Sequence, residues 1–198
     1  MAVVVPSPEI WHRDDFALLC NWRKLWRAVE VGVDKGEFSQ AFLSRWQGTT
    51  FLGVDHYQPY PGMPWPRDAD FQTAVLRYER YARVAKLVRA DARELAATLA
   101  ASDLDLWGGQ RFQFVYIDGC HEYASVAADL AAWWPLVADA GVFAGHDFDG
   151  NHPGVVRAVT EFASEKNLTV YLTQDAPASW YVYKAGIPGP DWVRNPRA

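Results

Sequence analysis

Two short segments concentrate the side chains able to do chemistry: Asp118-Gly119-Cys120-His121-Glu122 and His146-Asp147-Phe148-Asp149. Histidine titrates near neutrality, so His121 or His146 can remove a proton as a general base. Asp118 and Asp147 can instead hold a divalent metal, such as Mg2+, that orients a diol acceptor and lowers its hydroxyl pKa. Both readings are open on the residues alone. Cys120 has no CxxC partner and reads as a buried or half-exposed thiol rather than a nucleophile. His12, His56 and His152 show no ligand spacing and read as surface or loop residues.

A third segment, Glu30-Val31-Gly32-Val33-Asp34-Lys35-Gly36, has a different use. Glycines at 32 and 36 let the backbone turn tightly and approach a ligand closely. Asp55 stands 23 positions after Gly32, where its carboxylate can accept hydrogen bonds from a ribose diol. Asp91 lies in Ala90-Asp91-Ala92. A strand-end aspartate can also serve as a helix N-cap, and for Asp91 that reading is as open as the binding one.

The elements that must position these groups alternate. The spacing predicts helices over 14–26, 37–46, 71–78, 92–99, 123–134 and 155–162. Apolar runs predict strands over 28–33, 49–54, 85–88, 112–117, 141–144, 168–172 and 179–183. The alternation argues for a doubly wound, mostly parallel seven-stranded sheet of the Rossmann-like α/β class. Its last two strands lack a crossover helix, so they form a hairpin and one runs antiparallel. One domain over 1–198 is expected: a helical extension (1–26), a core (27–184) and a tail (185–198). Ligands bind such sheets at the carboxyl ends of the strands, where all the motifs fall.

The G-x-G-x-x-G dinucleotide signature is absent, and four acidic strand ends disfavour a pyrophosphate. A nicotinamide-linked oxidoreductase is therefore the weaker reading. S-adenosylmethionine suits such a site, because it carries a sulfonium, an ammonium, a ribose diol and adenine but no phosphate.

The stretches VEVGVDKG, FLGVDHY, RADARE, FVYIDGCHEYASVAADLAAWWPLV and GVFAGHDF resemble the successive motifs of class I S-adenosylmethionine-dependent methyltransferases. The likeness is to a bacterial small-molecule branch with IDG-x-H-x-Y after one strand and HD-[YF] after the next. That family's sheet ends in the same antiparallel strand. The resemblance implies that Glu30, Gly32 and Gly36 lie under the methionine portion and ribose. It places Asp55 on the ribose hydroxyls, Asp91 and the Ala92 backbone at the adenine, and Asp118 near the transferred methyl. Related metal-dependent O-methyltransferases carry a further Asp or Asn directly after the second aspartate. Here that residue is Phe148, so a third ligand falls to Asp149, His121 or water.

The expected function is methyl transfer to a small-molecule acceptor, at a hydroxyl oxygen. A non-catalytic S-adenosylmethionine-binding module is the alternative, since function belongs to the site rather than the fold. The net charge of -5 over 198 residues argues against nucleic-acid partners. No apolar stretch suggests a membrane span, no basic leader is seen, and two cysteines fit a cytoplasmic protein. The apolar N-terminal segment and Trp192 would suit an interface in a homo-oligomer.

The Tyr57–Pro66 loop combines four prolines with Tyr57, Tyr60 and Trp65, and reads either as a pocket wall or as a self-packed surface loop. Of ten tryptophans, Trp22, Trp26, Trp46, Trp133 and Trp134 are expected on helices covering the sheet. Trp180 belongs to the terminal hairpin.

Overall fold

A computed structural model describes residues 2–60, 63–101 and 111–184. Its strands are β1 (Val3–Pro6), β2 (Arg27–Val31), β3 (Thr50–Asp55), β4 (Ala85–Arg89), β5 (Phe112–Ile117), β6 (Val137–Gly145), β7 (Thr169–Leu172) and β8 (Trp180–Tyr183). The helices are α1 (Phe16–Arg23), α2 (Glu37–Leu43), α3 (Asp68–Glu79), α4 (Ala92–Ala101), α5 (Tyr123–Trp133) and α6 (Pro153–Glu165). The strands form one sheet in the order β1-β7-β8-β6-β5-β2-β3-β4. Only β8 runs antiparallel to its neighbours, β6 and β7.

Strand β2 is buried along its whole length, as a central parallel strand covered on both faces must be. Its side chains alternate between two hydrophobic layers. Ala28 joins Phe51, Phe114 and Tyr116 beneath α1 and α2, while Val29 and Val31 join Leu52, Val115 and Ile117 beneath α5 and α6. From β2 the chain winds outward through β3 and β4, then returns to place β5 on the other side of β2. The direction of winding therefore changes between β2 and β5, and a crevice opens there at the carboxyl ends.

The architecture is the expected Rossmann-like, mostly parallel sheet, with one strand more than the seven anticipated. Residues 1–26 are not simply a helical extension. Val3–Pro6 pairs in parallel with β7, Val3 opposite Thr169, and forms an edge of the sheet. Three consecutive valines favour a strand, but their partner lies so far along the chain that local periodicity cannot reveal it. Helix α1 begins later than predicted because Arg13–Asp15 forms a 3-10 turn, closed by reciprocal hydrogen bonds between His12 and Asp15. It ends at Lys24, whose φ of 59° is left-handed. Trp26 thus lies outside any helix, and Trp22 is 62% exposed rather than core. Trp46, Trp133 and Trp180 are buried, and Trp134 packs on Phe143 and Phe162. Trp107, Trp192 and the expected 185–198 tail lie outside the described residues.

Phe114 is fully buried, with ring centroids 5.2 Å from Phe42 and 5.3 Å from Phe16. Phe114→Ala should lower the unfolding free energy by about 3–5 kcal/mol, read from denaturant unfolding of both proteins.

Candidate functional site

The crevice is built on the turn after β2. Gly32 has a φ of 86°, and a Cβ there would lie 2.2 Å from the Asp118 carbonyl oxygen and 2.7 Å from Gly119 Cα. Only glycine lets this turn touch the end of β5. Gly36, with a φ of 80°, closes the turn at the start of α2 and does not itself line the clefts described below. Asp55 ends β3 and braces the turn from the other side. One of its oxygens accepts hydrogen bonds from the Val33 and Asp34 amides (3.1 and 3.0 Å), the other from the Tyr57 amide (2.8 Å). An ionised carboxylate offers about four acceptor positions, so little capacity remains for a ribose.

Two clefts adjoin here. The first, about 680 Å³ with its open mouth, is lined by Gly32, Asp55, His56, Asp91, Ala92 and Asp129, among others. The second is lined by Arg13, Glu30, Glu37, His121, His146 and Asp147, with other residues. Gly32, Asp34, Tyr60, Met63, Asp118 and Gly119 line both. Asp91 caps α4, one oxygen accepting the Arg93 and Glu94 amides at 2.9 and 3.0 Å. These bonds hold its pKa below the usual carboxylate value. The capping role and a place on the cleft wall therefore coincide. Glu30 faces the second cleft and is only 1% exposed, hydrogen-bonded to the Ser39 hydroxyl. Burial pushes its pKa well up.

Strands β5 and β6 are neighbours, and their ends bring together Asp118, His121, His146 and Asp147. His146 Nδ1 lies 3.2 Å from Asp147 and 3.7 Å from Asp118. His121 Nε2 lies 2.9 Å from the other Asp147 oxygen. Burial opposes ionisation of Asp147, but the hydrogen bonds from His121 and His146 outweigh it and its pKa falls well below normal. The same bond raises the His121 pKa; at His146, burial works downward but the two carboxylates carry the net shift upward. Asp118 is raised, chiefly by burial.

Sequence reasoning missed several residues in and beside the clefts. Arg13, from the 3-10 turn, reaches to 4.0 Å from Asp118. His152 is not a simple surface histidine: its ring packs on His121 with centroids 4.5 Å apart, and Nδ1 is 2.8 Å from Asp149. Asp129, spaced on α5 like a core residue, gives no signal of its own. The 57–66 loop does form a wall, through Tyr60 and Met63; Trp65 is 54% exposed and does not line either cleft. Arg67, just beyond the loop and 3% exposed, pairs with Asp34, Asp55 and Asp70.

The profile of a methyltransferase-domain family matches residues 29–148, well over half of the chain and spanning both clefts' strand ends. The chain belongs to that family. No curated protein sequence matches it. Among solved structures, an O-methyltransferase from Bacillus cereus in complex with SAH superposes with a TM-score of 0.66 at 13% identity, over 87% of this chain and 80% of that one. The O-methyltransferase TomG of tomaymycin synthesis from Streptomyces achromogenes, in complex with SAM, gives 0.62 at 14% identity, over 88% and 79%. The calicheamicin methyltransferase CalS11 gives 0.62 at 16% identity, over 87% and 79%. At such identities the likeness is one of fold.

The donor chemistry of this methyltransferase domain suits a cationic nucleoside. The first cleft is lined by Asp34, Asp55, Asp91, Asp118 and Asp129, and its arginines are paired: Arg67 with Asp34 and Asp55, and Arg93 with Asp129 at 3.7 Å. Mg2+ between Asp118 and Asp147 fits less well. A ring nitrogen of His146 sits by both carboxylates, and Phe148, half-buried against the core, stands in place of a third oxygen ligand.

Two outcomes test this geometry. Gly32→Ala, which forces the turn off Asp118, should weaken S-adenosylhomocysteine binding in calorimetry by more than about tenfold. Burial pushes Asp129 up to about 6, above its unfolded value, so its ionisation works against folding. That penalty is absent below pH ~4, grows through pH ~4–6 and is complete above. Asp129→Asn should therefore stabilise the protein at pH 7.5 by up to ~3 kcal/mol, with the gain vanishing near pH 4 in denaturant unfolding.

Proposed function

We propose that this chain moves a methyl group from S-adenosylmethionine to a hydroxyl oxygen of a small-molecule acceptor. The observation that carries the reading is the shared wall. The glycine turn, Asp118 and Gly119 border both the carboxylate-lined cleft and the histidine-lined one. S-adenosylmethionine, when bound, supplies an electrophilic methyl group on a sulfonium sulfur. Gly32, Asp55, Asp91, Ala92 and Asp118 line the cofactor side, with Gly36 closing the turn behind them; the acceptor belongs in the second cleft, which Glu30 also borders.

What the protein must add is alignment and a place for the acceptor's proton. His146 is the fitting base. Its Nδ1 faces Asp147 and Asp118, which leaves Nε2 to receive the proton. The ionised Asp147 then stabilises the imidazolium, as the carboxylate of an Asp–His pair does. His121 uses Nε2 on Asp147 and acts first by holding that carboxylate in place. Asp118 stands at the common wall, 3.7 Å from His146 Nδ1. The O-methyltransferases among the structural relatives support oxygen as the acceptor atom. Two free thiols, Cys20 and Cys120, suit a reducing compartment, and we place the reaction in the cytoplasm.

The test pairs binding with turnover. The protein should bind S-adenosylhomocysteine and methylate at least one member of a panel of phenols, sugars and hydroxy acids. His146→Gln should bind S-adenosylhomocysteine as the parent does while kcat falls about 10²–10⁴-fold. Binding without product across the panel would point to a non-catalytic module. Unchanged rates in both His146→Gln and His121→Gln would remove histidine as the base.

A further inference from the structure

We propose that His121, Asp147 and His152 form a binding site for a divalent first-row transition ion of the Zn2+, Co2+ or Fe2+ kind, at the edge of the acceptor cleft. Three segments converge to make it. His121 comes from the loop after β5, Asp147 from the end of β6 with a left-handed φ of 57°, and His152 from the residue before α6. The segments are pressed together at Gly154, where a Cβ would lie 2.4 Å from the His121 carbonyl oxygen and 2.7 Å from the Tyr123 amide nitrogen.

The donor atoms of the three side chains all lie within 4.8 Å of one another. Asp147 spans the pair, 2.9 Å from His121 Nε2 and 3.7 Å from His152 Nδ1. The two contacts fall on different Asp147 oxygens, and both lie within reach of one ion bound at roughly 2.0–2.2 Å. The two imidazoles lie side by side, with ring centroids 4.5 Å apart. Two histidines with one carboxylate select a borderline ion, whereas Mg2+ prefers oxygen donors throughout. The site differs from the Asp118–Asp147 pair considered above, because nitrogen donors replace the missing third oxygen. It goes beyond the methyl-transfer reading and does not depend on it.

The full chain, stripped with chelator, is titrated with Zn2+ and with Mg2+ by calorimetry, and with Co2+ by visible absorption. One equivalent of Zn2+ is expected to bind, with Co2+ giving a saturable absorption band and Mg2+ no signal over the same range. His121→Ala and His152→Ala should each weaken Zn2+ by about tenfold or more, and His12→Ala, at an exposed N-cap, should not. Bound Zn2+ should also raise the melting temperature of the parent but not of the double variant His121→Ala/His152→Ala. S-adenosylhomocysteine titrated into each variant reports whether it is folded and tests the cofactor site separately. Absence of saturable Zn2+ or Co2+ binding would overturn the proposal. Binding unchanged in a folded double variant, or Mg2+ binding as tightly as Zn2+, would overturn it equally.

Discussion

The contact between Gly32 and the Asp118–Gly119 backbone is the constraint on which the rest of the site depends. It joins the turn after β2 to the end of β5 at the point where the sheet reverses its winding. With no side chain at 32, the two strand ends close to van der Waals distance, and their flanking groups become one surface with two sides. On one side stand the groups ending β3 and β4; on the other stand those ending β6. A bulkier residue would open this seam and separate the two clefts. The parallel sheet supplies the rest. Hydrogen-bonded registers place Val31 opposite both Val54 and Ile117, and Ile117 opposite Gly145, so the four strand ends lie level.

Charge is distributed around this seam in a consistent way. Acidic groups outnumber bases along the first cleft, and the arginines near them are already engaged. An anion entering there would meet carboxylates without a free cation to offset them. In the second cleft the balance shifts. Arg13, His121 and His146 face Asp118 and Asp147, and the hydrogen bonds at Asp147 keep it ionised. The seam thus separates a carboxylate-lined cleft from a histidine-lined one.

The local parts of this arrangement were legible in the sequence. Periodicity predicts the helices and most of the strands, and the motifs at strand ends identify Gly32, Asp118 and the two histidine–aspartate segments. What the sequence does not disclose depends on distance along the chain. β1 is a strand only because β7 offers it an edge, and Arg13 enters the site only because that pairing and Asp175, which accepts its amide at 3.2 Å, fix the N-terminal segment. His152 lacks ligand spacing with His121 because their proximity arises from Gly154 packing on the loop after β5. Trp22 illustrates the converse. It sits in an apolar stretch yet faces outward, because the buried face of α1 runs through Phe16, Ala17, Leu19 and Cys20.

The aromatic loop after β3 follows the same logic of long-range anchoring. Tyr57 is 1% exposed, with a φ of 51°, and its hydroxyl donates to the Asp34 carbonyl at 2.9 Å. At the other end Arg67, also buried, pairs with Asp34 and Asp55. Both ends are therefore fastened to the glycine turn and to the carboxylate that braces it. An unpaired Arg67 or Asp55, both buried, would be costly, so these two charges hold one another in place, with Asp34 pairing from the surface. Tyr60 and Met63 reach both clefts because their supports are buried, whereas Trp65 carries the largest ring of the segment but no such anchor, and faces solvent. Proximity in sequence to Asp55 is thus a poorer guide to a wall residue than attachment to the turn.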